Sequence, residues 1–412
     1  MNDNDYATGS PQVPAASNLQ VPAASPNEAA LPDLGLLRKR INQIDSQLLG
    51  LFAERMELAR DVARTKAVSG AAVFDPLRED EIAAAAREKI KGDDGIRAEK
   101  LLRSLMRLSR GVQYDLLLPY DQRFTLGQQI AAALLVEPEV RRIVNQGSAT
   151  SYSAQACARL FPGQPVRAVQ TFEEACVLVK NGEADVAVLP LENSTAGTVG
   201  DVYNLLQHYQ LYIWRSFDLP IHHHLLGVRG ATLADVHTVI SHPQALAQCS
   251  NMIRDRGWRA VESLNTAFAA TQVAQEGDPT RAAIASLDAG QTNGLEVLSD
   301  DISNSRENLT RFVVIGRQFV ISPDAGRLSL VLRTPHASGS LAATLALFSD
   351  RNLNLSKIHS RPNPAEPWSY LFDLDVDCPA HDPQALATLY QLSREMSFLQ
   401  LLGWYPIETG LT

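Results

Sequence analysis

The sequence predicts a multidomain chain with three architectures in series. An all-α segment of three helices comes first, then a two-lobed α/β segment, then a small unit with the βαββαβ order of a ferredoxin-like fold. Three observations predict this. Between residues 36 and 66, apolar residues recur at Leu37, Ile41, Ile44, Leu48, Leu51, Leu58 and Val62, in steps that keep one helical seam. From Arg141 on, short apolar runs alternate with helical stretches, the texture of α/β chains. Residues 327–406 read strand, helix, two strands, helix, strand.

Taken in order, residues 1–35 are rich in Ala, Pro, Ser and Asn and repeat Gln-Val-Pro-Ala-Ala-Ser, which predicts a disordered tail. The helix over 36–66 would span roughly 46 Å at ~1.5 Å per residue. That is more than a domain of ~80 residues covers, so a second copy is expected to pack along it as a homodimer. Asp75-Pro76 reads as the N-cap and first position of a second helix reaching about Lys91. Gly92 to Gly95 break it, and a third helix runs over about 97–117, completing the segment 36–117. Residues 118–140 read as a connector with a helical patch at 130–135.

In the segment 141–317, strands are predicted at 143–145, 166–169, 184–189, 211–214, 225–228, 236–240, 282–285 and 311–315. Thr171-Phe172-Glu173-Glu174 is a capping box. The last segment, 327–406, places strands at 328–332, 353–360, 369–376 and 399–404, and helices at 340–350 and 383–396.

The chain has 412 residues and a net charge of −9, which argues against non-specific nucleic-acid binding. Residues 36–115 are nevertheless net +3, so the basic region holds the long helix. Cys157, Cys176, Cys249 and Cys378 match no metal or redox spacing, and reduced cytosolic thiols account for them. No signal peptide or long apolar run stands out, so a cytoplasmic protein with no membrane association is expected.

Arg55 is the charged interruption of the apolar seam. Lys66, eleven residues on, returns to nearly the same face, with the small Ala59 and Ala63 between them. Two cations over a shallow groove suit a small anion, although a snorkelling arginine and an ordinary last-turn lysine account for each alone. Arg38 lies about 100° off the face of Arg55, so a helix and its dimer mate can aim both at one ligand where one helix cannot. Arg78 stands in the first turn of the second helix, where a cation opposes the helix dipole and needs packing or a ligand to hold it. Ser109 and Gln113 are one turn apart and point the same way.

Arg38, Arg55, Lys66, Asp75, Arg78, Glu79, Ser109 and Gln113 together resemble the all-α chorismate mutase family over about residues 34–115. The resemblance implies a pericyclic rearrangement of chorismate to prephenate. Such a reaction needs a fixed conformer and donors near the ether oxygen, with no acid, base or nucleophile. It further implies that Arg38 of the partner subunit, Arg55 and Arg78 hold carboxylates. Lys66 and Gln113 would face the ether oxygen, while Asp75 and Glu79 would take the hydroxyl and orient Arg78 and Lys66.

Polar clusters stand at the predicted strand ends of the middle segment: Pro190-Leu191-Glu192-Asn193-Ser194, Ser241-His242-Pro243-Gln244, Glu262-Ser263 with Asn265-Thr266-Ala267, and Asn308-Leu309-Thr310-Arg311-Phe312. Singly each reads as a cap or turn. In this order they resemble prephenate dehydratase over about residues 141–317. The resemblance implies loss of water and carbon dioxide from prephenate, with Thr310 as the catalytic hydroxyl. Substrate contacts would come from Glu192, Asn193, Ser194, Ser241, Gln244, Arg311 and Phe312. The family's G-P-x-G-[ST]-[FY]-S loop stands here as Gly147-Ser148-Ala149-Thr150-Ser151-Tyr152-Ser153, without the proline and second glycine. His222-His223-His224 alternate faces on a strand and are expected to diverge rather than share a metal.

Residues 327–406 resemble the ACT regulatory domain. Gly339-Ser340-Leu341 and Ser360-Arg361-Pro362 stand at its effector motifs, which implies phenylalanine as effector. No cofactor is expected for either reaction. Two other readings stay open: a two-lobed ligand-binding module, and a mutase whose second domain is a non-catalytic regulator.

Overall fold

A computed structural model describes residues 33–305, 307–363 and 366–408. Most of the predicted tail therefore lies outside the described residues. The first helix, α1 (Leu34–Ser69), is followed by α2 (Pro76–Lys89), α3 (Asp93–Leu117) and the short α4 (Thr125–Ala131). The chain divides into two units within α1, one ending at Asp61 and one beginning at Val62, and each is described by itself.

In the first unit the seam residues Leu37, Ile41, Ile44, Leu48, Leu51 and Leu58 are between 43% and 63% exposed. In the second unit α2 starts as expected: Asp75 caps it by accepting from the Arg78 amide at 3.1 Å, with Pro76 in the first turn. The break before α3 is tighter than the expected Gly92–Gly95 gap, because α3 already begins at Asp93. Gly92 supplies a positive φ of 73°. Gly95 sits inside the first turn, where a Cβ would stand 2.0 Å from the Ile90 carbonyl oxygen. The connector helix lies earlier than expected, at 125–131 instead of 130–135.

The α/β segment folds as two sheets. The first contains β1 (Ile143–Gln146), β2 (Val166–Val169), β3 (Val186–Asn193), β4 (Gly197–Thr198) and β5 (Tyr212–Pro220). The chain then crosses to β6 (His224–Gly227), β7 (Thr238–Ser241), β8 (Arg259–Glu262), β9 (Arg281–Ala285) and β10 (Glu296–Ser299), whose sheet order is β10-β6-β9-β7-β8. It returns as β11 (Leu309–Gly316), which runs antiparallel between β3 and β5. Helices α5 (Tyr152–Leu160), α6 (Phe172–Asn181) and α7 (Gly200–Tyr209) accompany the first sheet. Helices α8 (Pro243–Gln248), α9 (Ser250–Arg256), α10 (Thr266–Glu276) and α11 (Leu287–Thr292) accompany the second.

The expected strand at 184–189 is misplaced. β3 runs on to Asn193, so the polar cluster is part of the strand and not a turn beyond it. β10 was not foreseen, because Glu296–Ser299 is a short run with both faces partly solvated.

The C-terminal part contains β12 (Arg327–Arg333), α12 (Ser340–Ser349), β13 (Asn354–Pro362), β14 (Tyr370–Asp377), α13 (Pro383–Glu395) and β15 (Phe398–Tyr405). Its antiparallel sheet has the order β13-β14-β12-β15. A last strand, β16 (Ile407–Glu408), leaves this sheet and pairs in parallel with β5. Val331, Leu371, Leu402 and Tyr405 share one core with Val144, Leu189, Leu206 and Val313, so the C-terminal part is welded to the first lobe.

Candidate active sites

On the all-α side, Arg38 is exposed and Arg55 half-buried on α1. Lys66, at the other end of α1, donates to the Val73 carbonyl at 2.9 Å. Burial lowers its pKa, opposed by the nearby carboxylates of Asp75 and Glu79. Lys66 lines a cleft of about 670 Å³ with Val73, Tyr114, Tyr390 and Arg394, among others; Arg78, Glu79, Ser109 and Gln113 are not among its lining residues.

Arg78 pairs with Glu81 one turn on at 2.9 Å, and both are about two-thirds exposed. The helix itself therefore holds this cation against the dipole. Ser109 and Gln113 are both buried on α3. Ser109 Oγ donates to the Leu105 carbonyl at 2.8 Å, and Gln113 Nε2 donates to the Ser109 carbonyl at 3.3 Å. Gln113 Oε1 is buried with no partner among the described residues.

Glu79 acts on Lys66 through its charge and has a further partner that sequence reading did not give it. Its carboxylate is gripped by the Arg110 guanidinium, with Nη1 donating to both oxygens. Arg110 was missed by sequence reading. Its second partner is Glu395 on α13, far along the chain, and no local pattern predicts that pair.

On the α/β side, pairing of β3 with β11 sets Asn193 directly opposite Thr310. The end of one motif and the start of another are thus cross-strand neighbours. Asn193 Nδ2 donates to Thr310 Oγ1 at 2.9 Å, to Asn308 Oδ1 at 2.8 Å and to the Leu309 carbonyl at 3.2 Å. Asn193 Oδ1 accepts from the Thr195 amide and hydroxyl, from the Ala196 amide and from Gln248 Nε2. Its amide is saturated, so it positions Thr310 and has no group left for a substrate.

The network continues outward. Gln248 Nε2 donates to Thr195 Oγ1 at 2.5 Å, and His223 Nε2 meets Gln248 Oε1 at 2.8 Å. The Tyr152 hydroxyl donates to the His222 carbonyl at 2.6 Å and lies 3.3 Å from His223 Nδ1. Burial lowers the His223 pKa and raises that of Tyr152. Thr195, Gln248, Asn308, His223 and Tyr152 were not foreseen as site residues. Asn308, Tyr152 and His223 stood in flagged stretches, but none was given this role, and Thr195 and Gln248 stood in none.

Several expected substrate contacts are occupied elsewhere. Arg311 makes a two-pronged ion pair with Asp218 at 2.9 and 3.0 Å, with Glu192 3.7 Å away. Glu192 also pairs with Lys357 of β13 at 3.1 Å. Phe312 is 2% exposed in the core beside Trp214 and Phe217. Ser241 Oγ is buried and donates to the Ile284 carbonyl. Ser194 staples β3 to β11, donating to the Glu307 carbonyl and accepting from the Leu309 amide. Gln244 is exposed in the first turn of α8, and Asn265 caps α10.

In the altered loop, Gly147 has φ 110° and a Cβ there would meet the Ser151 side chain at 3.0 Å, so this glycine is required. Ser151 caps α5, and the Thr150 carbonyl lies 3.5 Å from Ser286 Oγ at the head of α11. His222, His223 and His224 diverge, with His222 near Asp301, His224 near Asp300 and His223 turned inward.

In the C-terminal part, Gly339 has φ 83° and opens α12. Ser340 and Leu341 line a cleft of about 760 Å³ with Arg333, His336, Trp368 and Tyr370. Arg361 is not part of it. It is buried against Asp373 at 3.0 Å and reaches Asn204 and Gln207 of α7, while Ser360 and Pro362 alternate to the opposite, exposed face of β13.

Comparison with known proteins places these features. The chorismate mutase type II family model matches residues 37–114, and the prephenate dehydratase model matches residues 143–319. The chain is 32% identical over 388 residues to the bifunctional chorismate mutase/prephenate dehydratase of Escherichia coli strain K12, covering 90% of this chain and 96% of that protein. It is 36% identical over 284 residues to arogenate dehydratase/prephenate dehydratase 1 of Arabidopsis thaliana, covering 65% of this chain and 72% of that one. Among solved structures, one described as GqqA, a quorum-quenching acylase, is 31% identical with a TM-score of 0.59, covering 65% of this chain and 98% of that one. A prephenate dehydratase from Arthrobacter aurescens in complex with L-Phe is 28% identical with a TM-score of 0.59, covering 64% of this chain and 90% of that one.

Proposed function

The chain belongs to the bifunctional chorismate mutase/prephenate dehydratase family, and from that premise we propose how its residues divide the work. The protein converts chorismate to prephenate and prephenate to phenylpyruvate, as an isomerase joined to a lyase. The observation that carries the dehydratase assignment is the Asn193–Thr310 contact. Because the Asn193 amide donates to the Thr310 oxygen, the hydroxyl hydrogen stays available to polarise the departing hydroxyl of prephenate. The same amide stabilises negative charge on that oxygen as the proton moves. Loss of carbon dioxide supplies the electrons that make the ring aromatic.

For the mutase, Arg38 of the partner subunit, Arg55 and Arg78 hold the carboxylates, and Lys66 and Gln113 face the ether oxygen. Gln113 Nε2 spends one hydrogen on the Ser109 carbonyl, and its second hydrogen supports this as the donor to that oxygen. The exposed seam of α1 supports a homodimer, because such a stripe is stable only when covered.

The C-terminal part is read as a ferredoxin-like ACT domain, on its sheet order and two helices. Phenylalanine feedback is supported by the L-Phe complex of the related dehydratase.

The test supplies chorismate, then prephenate, to the full chain and follows phenylpyruvate. Turnover of both, with Thr310→Ala stopping only the second step, is the expected result. Turnover of chorismate alone would reduce the second domain to a regulator.

A further inference from the structure

The side-chain cluster around Arg110 lies between α2, α3 and α13. Arg110 is 8% exposed, and the stacking of its guanidinium 4.6 Å over the Phe74 ring helps close it off from water. One side grips Glu79 of α2. The other donates through Nε to Glu395 Oε1 at 2.8 Å and through Nη2 to Oε2 at 3.3 Å. Glu395 is held in turn by Gln391 Nε2 at 2.9 Å. Further contacts fasten α3 to the C-terminal part: Arg107–Asp350 at 2.7 Å and Arg351–Asp115 at 2.9 Å at the end of α12, and the edge-on Tyr114–Tyr390 pair on α13.

We infer that Arg110 is a positioning residue of the mutase reaction, clamping Glu79 from behind with Glu395 as its anchor, so that α13 of the C-terminal part is a working portion of the first active site. This rests on the assignment of Glu79 to that site. The chemistry follows from the charge count. One guanidinium serves two carboxylates; the Glu79 charge also acts on Lys66, and the Glu395 charge on Tyr114. With Arg110 in place Glu79 keeps one orientation, held through both of its oxygens. A shift of α13 pulls on Glu395, then on Arg110, then on Glu79. Any event in the C-terminal part that moves α13 thereby reaches the mutase without passing through the dehydratase cleft.

The experiment measures mutase kcat and KM separately, with dehydratase turnover as the folding control, in the full chain. Arg110→Met is expected to lower mutase kcat/KM on the order of a hundredfold, the scale of a small misplacement of a site group. Arg110→Lys recovers part of the rate. Glu395→Gln, which loosens the anchor and leaves Arg110 on Glu79, lowers mutase kcat by a smaller factor and keeps the idea testable if Arg110→Met folds poorly. Wild-type mutase kinetics in both Arg110→Met and Glu395→Gln would overturn the clamp. Glu79→Gln separates the two levels. If it leaves the mutase unchanged, the assignment of Glu79 fails; if it lowers the rate while Arg110→Met does not, the clamp alone fails.

Discussion

In the α/β segment the polar side chains at the meeting of β3 and β11 bond to one another inside a single chain. In the all-α segment the assigned cations lie exposed or half-buried, and the apolar seam of α1 is open to solvent. The first arrangement is preorganised by its own backbone. Cross-strand register brings Asn193 to Thr310, and Gln248 and His223 brace them. The second has no such register, and its apolar seam on α1 is open to solvent. The contrast teaches that sheet register fixes one site's polar groups within the chain, whereas on the dimeric reading proposed above the other site would be completed by a second subunit.

The sharpest way to break this comparison is Thr310→Ala. It is expected to cut dehydratase kcat by roughly a hundredfold or more, with mutase turnover intact, measured on prephenate and chorismate separately. Equal loss of both would mean that the sites are not independent. Next, Leu48→Arg on the α1 seam is expected to yield monomers by sedimentation velocity and to abolish mutase turnover while the dehydratase persists. A dimer that survives the charge would place the seam elsewhere.

Phe312→Ala tests a core role against a substrate role. A cavity there costs about 3–5 kcal/mol of stability and lowers Tm, with the KM for prephenate unchanged. A raised KM at unchanged Tm would return Phe312 to the substrate.

The smallest effect concerns His223. Its folded pKa lies below the unfolded value of 6.5. The unfolded chain therefore takes up the proton first as pH falls, and stability is lost on moving down through that value. Urea unfolding of the wild type is expected to weaken between pH 7.5 and pH 5 by more than that of His223→Asn. Equal slopes would show that the imidazole is not buried.

Helical period, the Asp75-Pro76 start and the βαββαβ order were legible because they depend on neighbours in sequence. The strand at 184–189 was cut short because Pro190 reads as a terminator, yet β3 carries it at a register shift opposite Arg311 and Phe312. The motif residues could be seen, but not their employment. Arg311 looked like a ligand for an anion until Asp218 appeared on the neighbouring strand, and Arg361 until Asp373 and α7 did. Arg110 was invisible for the same reason. A pair across 285 positions leaves no trace in local spacing.

The two-residue strand β16 carries a consequence for biosynthesis. It docks in parallel on β5, with the Ser216 amide bonded to Pro406 and Arg215 paired with Glu408 at 2.9 Å. While a ribosome adds the intervening residues at ~5–20 per second, the β5 border lacks its cover, and an uncovered border invites pairing with other chains. Nascent molecules emerging close together on one message are therefore most prone to tangle during that interval, before their own Ile407 arrives.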